Sequence, residues 1–237
     1  MPELASTRNI PFVLFMLNNP LGSSWLIDAL GQDRVLLGLP GAGGTFGRTC
    51  CSLRRNRSTT IGEPNGKQTT RLRSLAKVMR ACGFPTRIEN DLDAWLMSHA
   101  FFVTSACGAI YLAEGDCVRL SRSRLLLQLM ADGVREGFVA VHALWRPVRP
   151  FALKVLFTWL PRPFAVHYWH RSFSRRMAEL VLARHARHTS AEMKVLSTEC
   201  RILLGKNDIH VPALDRLYRS IDDYAMVDEQ LRVPKGK

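Results

Sequence analysis

The chain contains 237 residues with 47% hydrophobic side chains, and its 33 Lys and Arg against 20 Asp and Glu give a formal net charge of +13. This composition excludes a disordered chain, and no apolar run reaches the roughly 20 residues that a membrane-spanning helix needs. Six cysteines without a CxxC pair indicate reduced thiols, so we expect a packed cytoplasmic protein. Because no spanning run is present, we expect no membrane partner.

Residues 1–90 alternate short apolar runs with turn residues, which is typical of an α/β domain. Residues 18–22 form the first predicted turn. The glycine-rich residues 40–44 are predicted to form a flexible break between strands. The pattern predicts strands over 11–17, 34–39, 58–62 and 84–89, and helices from Ser23 or Ser24 to Leu30 and over 67–82.

From residue 91 onward the pattern is helical. Asp91 is a suitable N-cap, Leu125 and Val134 lie on the apolar side of a second helix, and Pro161 and Pro163 are predicted to interrupt the chain. We expect helices over 91–112, 120–145, 151–160, 175–186, 190–204 and 212–224, and a polar tail over 229–237.

Charge and histidine spacing raise two further hypotheses. Basic residues cluster between 48 and 73, but no nucleic-acid-binding module accompanies them, so a solvated surface is the favoured interpretation and no nucleic-acid partner is expected. His185, His188 and Glu192 have helical spacing, but no further ligand is evident, so no metal site is predicted. The clustered basic residues are Arg48, Arg54, Arg55, Arg57, Lys67, Arg71 and Arg73.

The segment from Asp91 to Met97, with Trp95 two residues before Met97, resembles the start of the helical domain in the ketopantoate reductase (2-dehydropantoate 2-reductase) family. In that family a lysine follows the tryptophan at this spacing and is the catalytic acid. Met97 takes its place here, and a thioether has no titratable proton. The same residues therefore indicate the fold of an enzyme family and the loss of that family's proton donor.

The resemblance extends from residue 10 to residue 224. Asn19 matches the asparagine that approaches nicotinamide and substrate, residues 61–63 match an Ile-Gly-Glu strand, and Glu192 matches a glutamate that contacts substrate or cofactor. Two departures accompany Met97. Phe101 and Ser105 stand where the family has asparagines, and no G-x-G-x-x-G fingerprint is present, since the glycines of 41–44 have another spacing.

The resemblance implies a fold in two parts. Residues 1–90 would form the α/β remnant of a Rossmann-type, dinucleotide-binding domain that lacks its N-terminal half. Residues 91–228 would form an all-helical domain like the C-terminal domain of 6-phosphogluconate dehydrogenase, followed by the polar tail 229–237.

The implied function is an NADPH-dependent oxidoreductase that reduces a small 2-oxo acid, as in pantothenate biosynthesis, and works as a homodimer. Asn19, Met97 and Glu192 would be the catalytic positions, and Asn19 and Glu192 would also contact the cofactor. The departures predict an impaired or inactive protein. The alternative is a catalytically silent helical scaffold or dimerisation protein, in which Asn19 is a turn residue, Glu192 is solvated and Met97 packs in the core.

Overall fold

The computed structural model describes residues 2–7, 9–41, 43–46, 51–54, 58–175, 178, 182–206 and 209–232. The chain forms two compact units, Met1–Leu96 and Met97–Lys237, called unit 1 and unit 2 below. The division falls after Leu96 rather than at the predicted residue 90. The reason is local packing, because Leu92 and Leu96 are buried in the core of unit 1.

Unit 1 is an α/β structure, as predicted. Its helices are α1 (Pro2–Ser6), α2 (Ser24–Leu30) and α3 (Thr70–Ala81), and its strands are β1 (Val13–Met16), β2 (Val35–Leu39), β3 (Gly43–Phe46), β4 (Cys51–Arg54), β5 (Thr59–Gly62) and β6 (Thr86–Ile88). The β3–β4 hairpin corrects the predicted flexible break, because Gly43 and Gly44 pair in antiparallel register with Arg54 and Leu53. Glycine content alone suggested a loop, and the pairing partner overrides that local preference.

A mixed four-stranded sheet in the order β1-β2-β5-β6 organises unit 1. The β1–β2 and β5–β6 pairs are parallel, and β2 runs antiparallel to β5. Alternate residues of β2 point to opposite faces. Leu37 packs with α2 residues and with Leu92, whereas Leu36 packs with Leu72 and Ala76 of α3, so helices cover both faces.

A buried ion pair ties α3 to the sheet of unit 1. Glu63 accepts hydrogen bonds from Arg71 Nε at 2.8 Å and Nη2 at 2.5 Å, and from the Thr69 hydroxyl. Arg71 Nη2 also donates to the carbonyl of Val35. Burial alone would raise the pKa of the Glu63 carboxyl, but the hydrogen bonds from Arg71 and Thr69 and the charge of Arg71 hold that pKa below its usual value.

Unit 2 is helical, as predicted, and it begins within the longest apolar helix. Its elements are α4 (Leu92–Leu112), α5 (Cys117–Arg122), α6 (Arg124–Ala143), α7 (Phe151–Lys154), which continues as a π-helical turn (Val155–Trp159), α8 (Arg162–Phe173), α9 (Arg184–His188), α10 (Ser190–Gly205) and α11 (Pro212–Arg232). Asp91 Oδ1 accepts from the Ala94 N–H at 3.1 Å, which confirms the predicted N-cap of α4.

The helix predictions are corrected at two places. The single helix over 120–145 is two helices, because Ser123 leaves helical geometry (φ −96, ψ 97) and its hydroxyl accepts from the Leu126 N–H. This break also leaves Leu125 77% exposed instead of on the apolar side. The helix over 151–160 ends at Trp159, before Pro161, as predicted, but residues 162–173 form the further helix α8, because Pro161 and Pro163 also suit a helix start.

The helix predicted over 175–186, the polar tail predicted over 229–237 and the basic cluster between 48 and 73 lie partly outside the described residues. For the helix over 175–186, residues 176–177 and 179–181 are not described, and α9 accounts for its end. The predicted polar tail over 229–237 is helical as far as Arg232, because α11 extends beyond residue 224, and residues 233–237 are not described.

Close helix approaches at glycines build the core of unit 2. A Cβ atom added to Gly108 of α4 would lie 2.7 Å from the backbone oxygen of Leu217 in α11. A Cβ added to Gly137 of α6 would lie 2.6 Å from the Cβ of Phe101 in α4. The Ser220 hydroxyl donates to the Gly108 carbonyl at 2.9 Å across the same contact. Helix α4 therefore packs so closely against α6 and α11 that Gly108 and Gly137 cannot be replaced by larger residues without movement of their neighbours.

Within the described part of the chain, α4 has the length and apolar content of a membrane-spanning helix. However, 78% of its most apolar window is buried inside the protein. The central helix of a packed globular core has the same composition, and the glycine contacts of α4 are those of such a helix.

We predict that Gly108→Ala lowers the free energy of unfolding by about 2 kcal/mol, because backbone rather than a flexible side chain occupies the space that the methyl group needs. The matched control is Gly205→Ala, where no atom lies within 4 Å of the added Cβ. The control should be neutral or stabilising by up to about 1 kcal/mol. Urea unfolding of both variants checks this, and equal stabilities would contradict the packing described.

We predict that Glu63→Gln lowers the free energy of unfolding at neutral pH by about 2 kcal/mol, since it leaves Arg71 without its carboxylate. The folded pKa of Glu63 is lowered, so the carboxylate stabilises the fold above its unfolded pKa, and that contribution is lost as pH falls through the folded pKa.

Urea unfolding of the wild type and Glu63→Gln at several pH values from neutral to acidic should therefore show the difference shrinking on acidification. Arg162→Gln, which breaks the half-exposed pair with Asp132, is the control and should cost less than about 1 kcal/mol. A Glu63→Gln deficit that is independent of pH would contradict the assignment.

Candidate functional site

Asn19 lies in the turn that follows β1, at the carboxyl end of a parallel strand, which is where α/β sheets bind ligands. Its side chain is buried, with 4% exposed. Its Nδ2 donates to the carbonyl of Gly22 at 2.7 Å, and its Oδ1 accepts from Trp25 Nε1 at 3.4 Å. The amide therefore holds the turn into α2, and its predicted contact with substrate or cofactor stays a prediction.

The N-terminus of α2 carries a carboxylate. Ser23 precedes α2 but does not cap it with its side chain, since its hydroxyl donates to Asp93 Oδ2 at 3.0 Å. A nucleotide pyrophosphate binds at a helix N-terminus because free N–H groups and the helix dipole attract negative charge. The Asp93 carboxylate next to this position opposes a second anion.

The glycines of 41–44 do not supply a replacement cradle. Ala42 lies outside the described residues, and the Gly41 N–H donates to Thr59 Oγ1 at 3.1 Å. Gly43 and Gly44 pair with β4 in the hairpin. The described residues of unit 1 therefore do not fit the pyrophosphate of a dinucleotide in the manner of a glycine fingerprint.

Met97 is a core residue of unit 2. It is 7% exposed and belongs to the same hydrophobic cluster as Ala100 and Phe101. Positions 101 and 105, where the family has asparagines, are likewise buried and inaccessible to a substrate. Phe101 is fully buried against Gly137, and the fully buried Ser105 donates its hydroxyl to the Phe101 carbonyl at 2.7 Å. These three positions of α4 offer no proton donor to a substrate.

Glu192 lies in the first turn of α10, and its side chain is exposed. Its charge contributes to raising the pKa values of Cys107 and Tyr111, after the larger effect of their burial. These two residues lie ten and fourteen positions beyond Met97 on α4, which corresponds to about 15 and 21 Å along a helix. The structure thus places Glu192 near the far part of α4 and does not bring it together with Met97.

The histidines near Glu192 do not share one helix with it. Helix α9 ends at His188, and Thr189 (φ −117, ψ 28) separates it from α10. Among the described residues, no group of three His, Cys, Asp or Glu side chains could hold a metal ion. The hypothesis of a zinc face over 185–192 therefore has no geometric support.

Sequence analysis missed a carboxylate that the fold uses. Glu136 of α6 accepts the N–H groups of Ala213 at 3.0 Å and Leu214 at 2.8 Å, and so caps the start of α11. Burial raises the pKa of Glu136, although the two N–H groups act in the opposite direction. The signal was present in Val211, which precedes Pro212 and cannot cap a helix, so that α11 needed a cap from elsewhere.

The buried hydroxyl of Tyr218 is a second polar group that contacts other parts of the core of unit 2. Tyr218 is fully buried, and its hydroxyl lies 3.2 Å from Thr104 Oγ1. Burial raises the pKa of the neighbouring Cys200 to about 12 and that of Cys107 to about 12 as well. Both thiols therefore stay protonated at neutral pH and are poor nucleophiles.

The three predicted site residues are distributed over both units: Asn19 belongs to unit 1, and Met97 and Glu192 belong to unit 2. The polar groups described above serve turns, caps and helix contacts: Asn19 a turn, Glu136 a cap and Ser105 a bond within α4. No combination of these residues within one unit assembles an acid, a base and a cofactor contact.

Comparison with known proteins gives evidence at the level of fold. No protein-family model matches the chain, and no curated protein matches it. Solved structures do match. A candidate ketopantoate reductase from Ralstonia solanacearum MolK2 aligns with a TM-score of 0.65 at 14% identity, over 86% of this chain and 59% of its own. This chain therefore spans less than two thirds of that protein.

Two further matches have the same character. D-mandelate dehydrogenase, solved in complex with NADH, aligns with a TM-score of 0.70 at 13% identity, over 91% of this chain and 70% of its own. A dimeric ketopantoate reductase from Staphylococcus aureus aligns with a TM-score of 0.62 at 10% identity, over 92% of this chain and 69% of its own. At these identities the alignments establish architecture and not activity. The chain has the fold of the ketopantoate reductases, as the residues around Trp95 predicted.

Proposed function

We propose that this chain is a ketopantoate reductase-like protein that does not itself reduce 2-oxo acids, and that it acts as a catalytically silent scaffold. The observation that carries the proposal is the burial of Met97. By resemblance, this position holds the proton donor of the reductases, and here a thioether fills it, 7% exposed and packed among core side chains. Reduction of a ketone needs a proton at the developing alkoxide, and a thioether cannot provide it.

The turn between β1 and α2 supports the same proposal. The carboxylate of Asp93 accepts from Ser23 beside the start of α2 and would repel an anionic group there. Asn19, the predicted contact to nicotinamide and substrate, has both amide atoms engaged in its own turn. We further propose that the protein is cytoplasmic and forms a homodimer, for which the dimeric reductase of Staphylococcus aureus provides the precedent.

A second candidate is an active NADPH-dependent reductase of a 2-oxo acid. The likeness to a dehydrogenase solved with NADH favours it. In that case Asn19 and Glu192 would contact substrate and cofactor, and another group, such as the half-buried His99, would donate the proton. The two candidates differ in whether the purified chain binds NADPH.

We expect no saturable binding of NADPH or NADH in the micromolar range by titration calorimetry, at moderate and at low salt. Low salt matters because the net charge of +13 attracts any polyanion, and such binding weakens steeply as salt is added. Asp93→Asn is the matched variant, because it removes the carboxylate that would repel an anionic group at the start of α2. Saturable wild-type binding that persists at moderate salt would refute the scaffold and favour the reductase.

We expect Met97→Lys to lower the free energy of unfolding by about 2–4 kcal/mol and to create no NADPH-dependent turnover with a panel of 2-oxo acids. The physical reason is that the position is core, where an ammonium group is poorly solvated. Met97→Leu is the control and should cost less than about 1.5 kcal/mol. A Met97→Lys variant as stable as the control, with measurable NADPH oxidation, would show that position 97 still faces an active site.

A further inference from the structure

An open groove runs along unit 2 between the π-helical turn that continues α7 and the helix α8. It has a volume of about 360 Å³. We call it the aromatic–arginine groove and define it by Leu156, Leu160, Phe164, Tyr168, Arg171 and Arg175, all of which line it. Phe164 is 58% exposed and Tyr168 is 51% exposed.

The chain around the groove exposes further aromatic side chains. Phe151 and Trp159 are 58% and 60% exposed and pack edge to face with ring centroids 5.2 Å apart. Lys154 Nζ lies 5.7 Å from the Trp159 ring. Trp145 is 95% exposed. Single exposed apolar residues are ordinary, but several within one short stretch of chain indicate a region that contacts an apolar partner.

The charge of this segment selects an anionic partner. Residues 144–175 contain six Lys and Arg and no Asp or Glu. Arg162 is paired with Asp132 of α6, but none of the described residues that line the groove is acidic. The partner must therefore combine apolar groups for Phe164 and Tyr168 with negative charge for Arg171 and Arg175.

We propose that the aromatic–arginine groove docks this protein on the surface of a bilayer that contains anionic phospholipid. Tyrosine and tryptophan favour the boundary between acyl chains and headgroups, and arginines beside them pair with lipid phosphates. A second copy of the same groove is disfavoured, because two acid-free surfaces of like charge would repel. The expectation of no membrane partner rested on the absence of a spanning run, and a peripheral contact requires no such run.

The test is co-sedimentation of the full chain with vesicles of phosphatidylcholine alone and of phosphatidylcholine mixed with phosphatidylserine. The wild type should bind the mixed vesicles, weakly bind the pure ones, and dissociate as salt is raised. Arg171→Gln with Arg175→Gln should weaken binding to mixed vesicles about 30-fold. Phe164→Ser with Tyr168→Ser should weaken it about tenfold or more at unchanged charge.

The matched control is Lys77→Gln with Arg87→Gln, which removes the same charge from exposed positions of unit 1. It should retain nearly wild-type binding, and thermal melting should show that every variant is folded. Equal losses in the control and the arginine double variant would mean that net charge alone drives binding, and would overturn the proposal. So would wild-type binding by the arginine variant, indifference of the wild type to phosphatidylserine, or loss of self-association by the groove variants in the absence of vesicles.

Discussion

The approach of α4 to α6 and α11 is the constraint on which the helical unit depends. At Gly108 the backbone of α11 comes so near that a single methyl group would meet a carbonyl oxygen, and at Gly137 the side chain of Phe101 fills the space that a Cβ would need. Contacts this close leave α4 buried on nearly all sides, in agreement with its apolar sequence, in which Asp93 is the single charged residue among 21. The polar groups that remain on α4, such as Thr104 and Ser105, bond to carbonyls of their own helix.

The same packing closes the positions of α4 at which, by resemblance, the reductases carry their catalytic lysine and asparagines. A helix that carries a catalytic lysine must leave one side open to substrate and water. In this chain Met97 and Phe101 belong to the hydrophobic core, and Ser105 is fully buried beside it, so this side of α4 contributes to stability instead. On the sheet side, Asn19 and Ser23 are likewise used in a turn and in a bond to Asp93. A fold shared with reductases is therefore compatible with side chains that serve only structure.

Much of this architecture followed from local sequence signals. Asp91 predicted the start of α4 and Pro212 predicted the start of α11. The apolar runs around Leu14 and Leu36 predicted the strands β1 and β2. Each of these signals acts over a few residues. The predictions that were wrong or missing concern elements whose partner lies elsewhere in the chain, and prolines, which can either end a helix or begin one. The β3–β4 hairpin depends on pairing between two strands, Pro161 and Pro163 begin α8 as well as following the end of a helix, and the cap of α11 comes from Glu136 on another helix. The site residues Asn19, Met97 and Glu192 were chosen by resemblance, and only their surroundings, not their roles, follow from the structure.

We infer that the polar groups between the end of β1 and the start of α2 hold the fold and do not receive a dinucleotide. Hydrogen exchange of the amides over residues 18–30 and along α4, measured with and without saturating NADPH, tests it most directly. We expect that α4 exchanges only through global unfolding and that NADPH leaves the exchange of both regions unchanged. Slower exchange over residues 18–30 on addition of NADPH would contradict this inference, because it would show that the cofactor binds the turn that Asn19 and Ser23 organise.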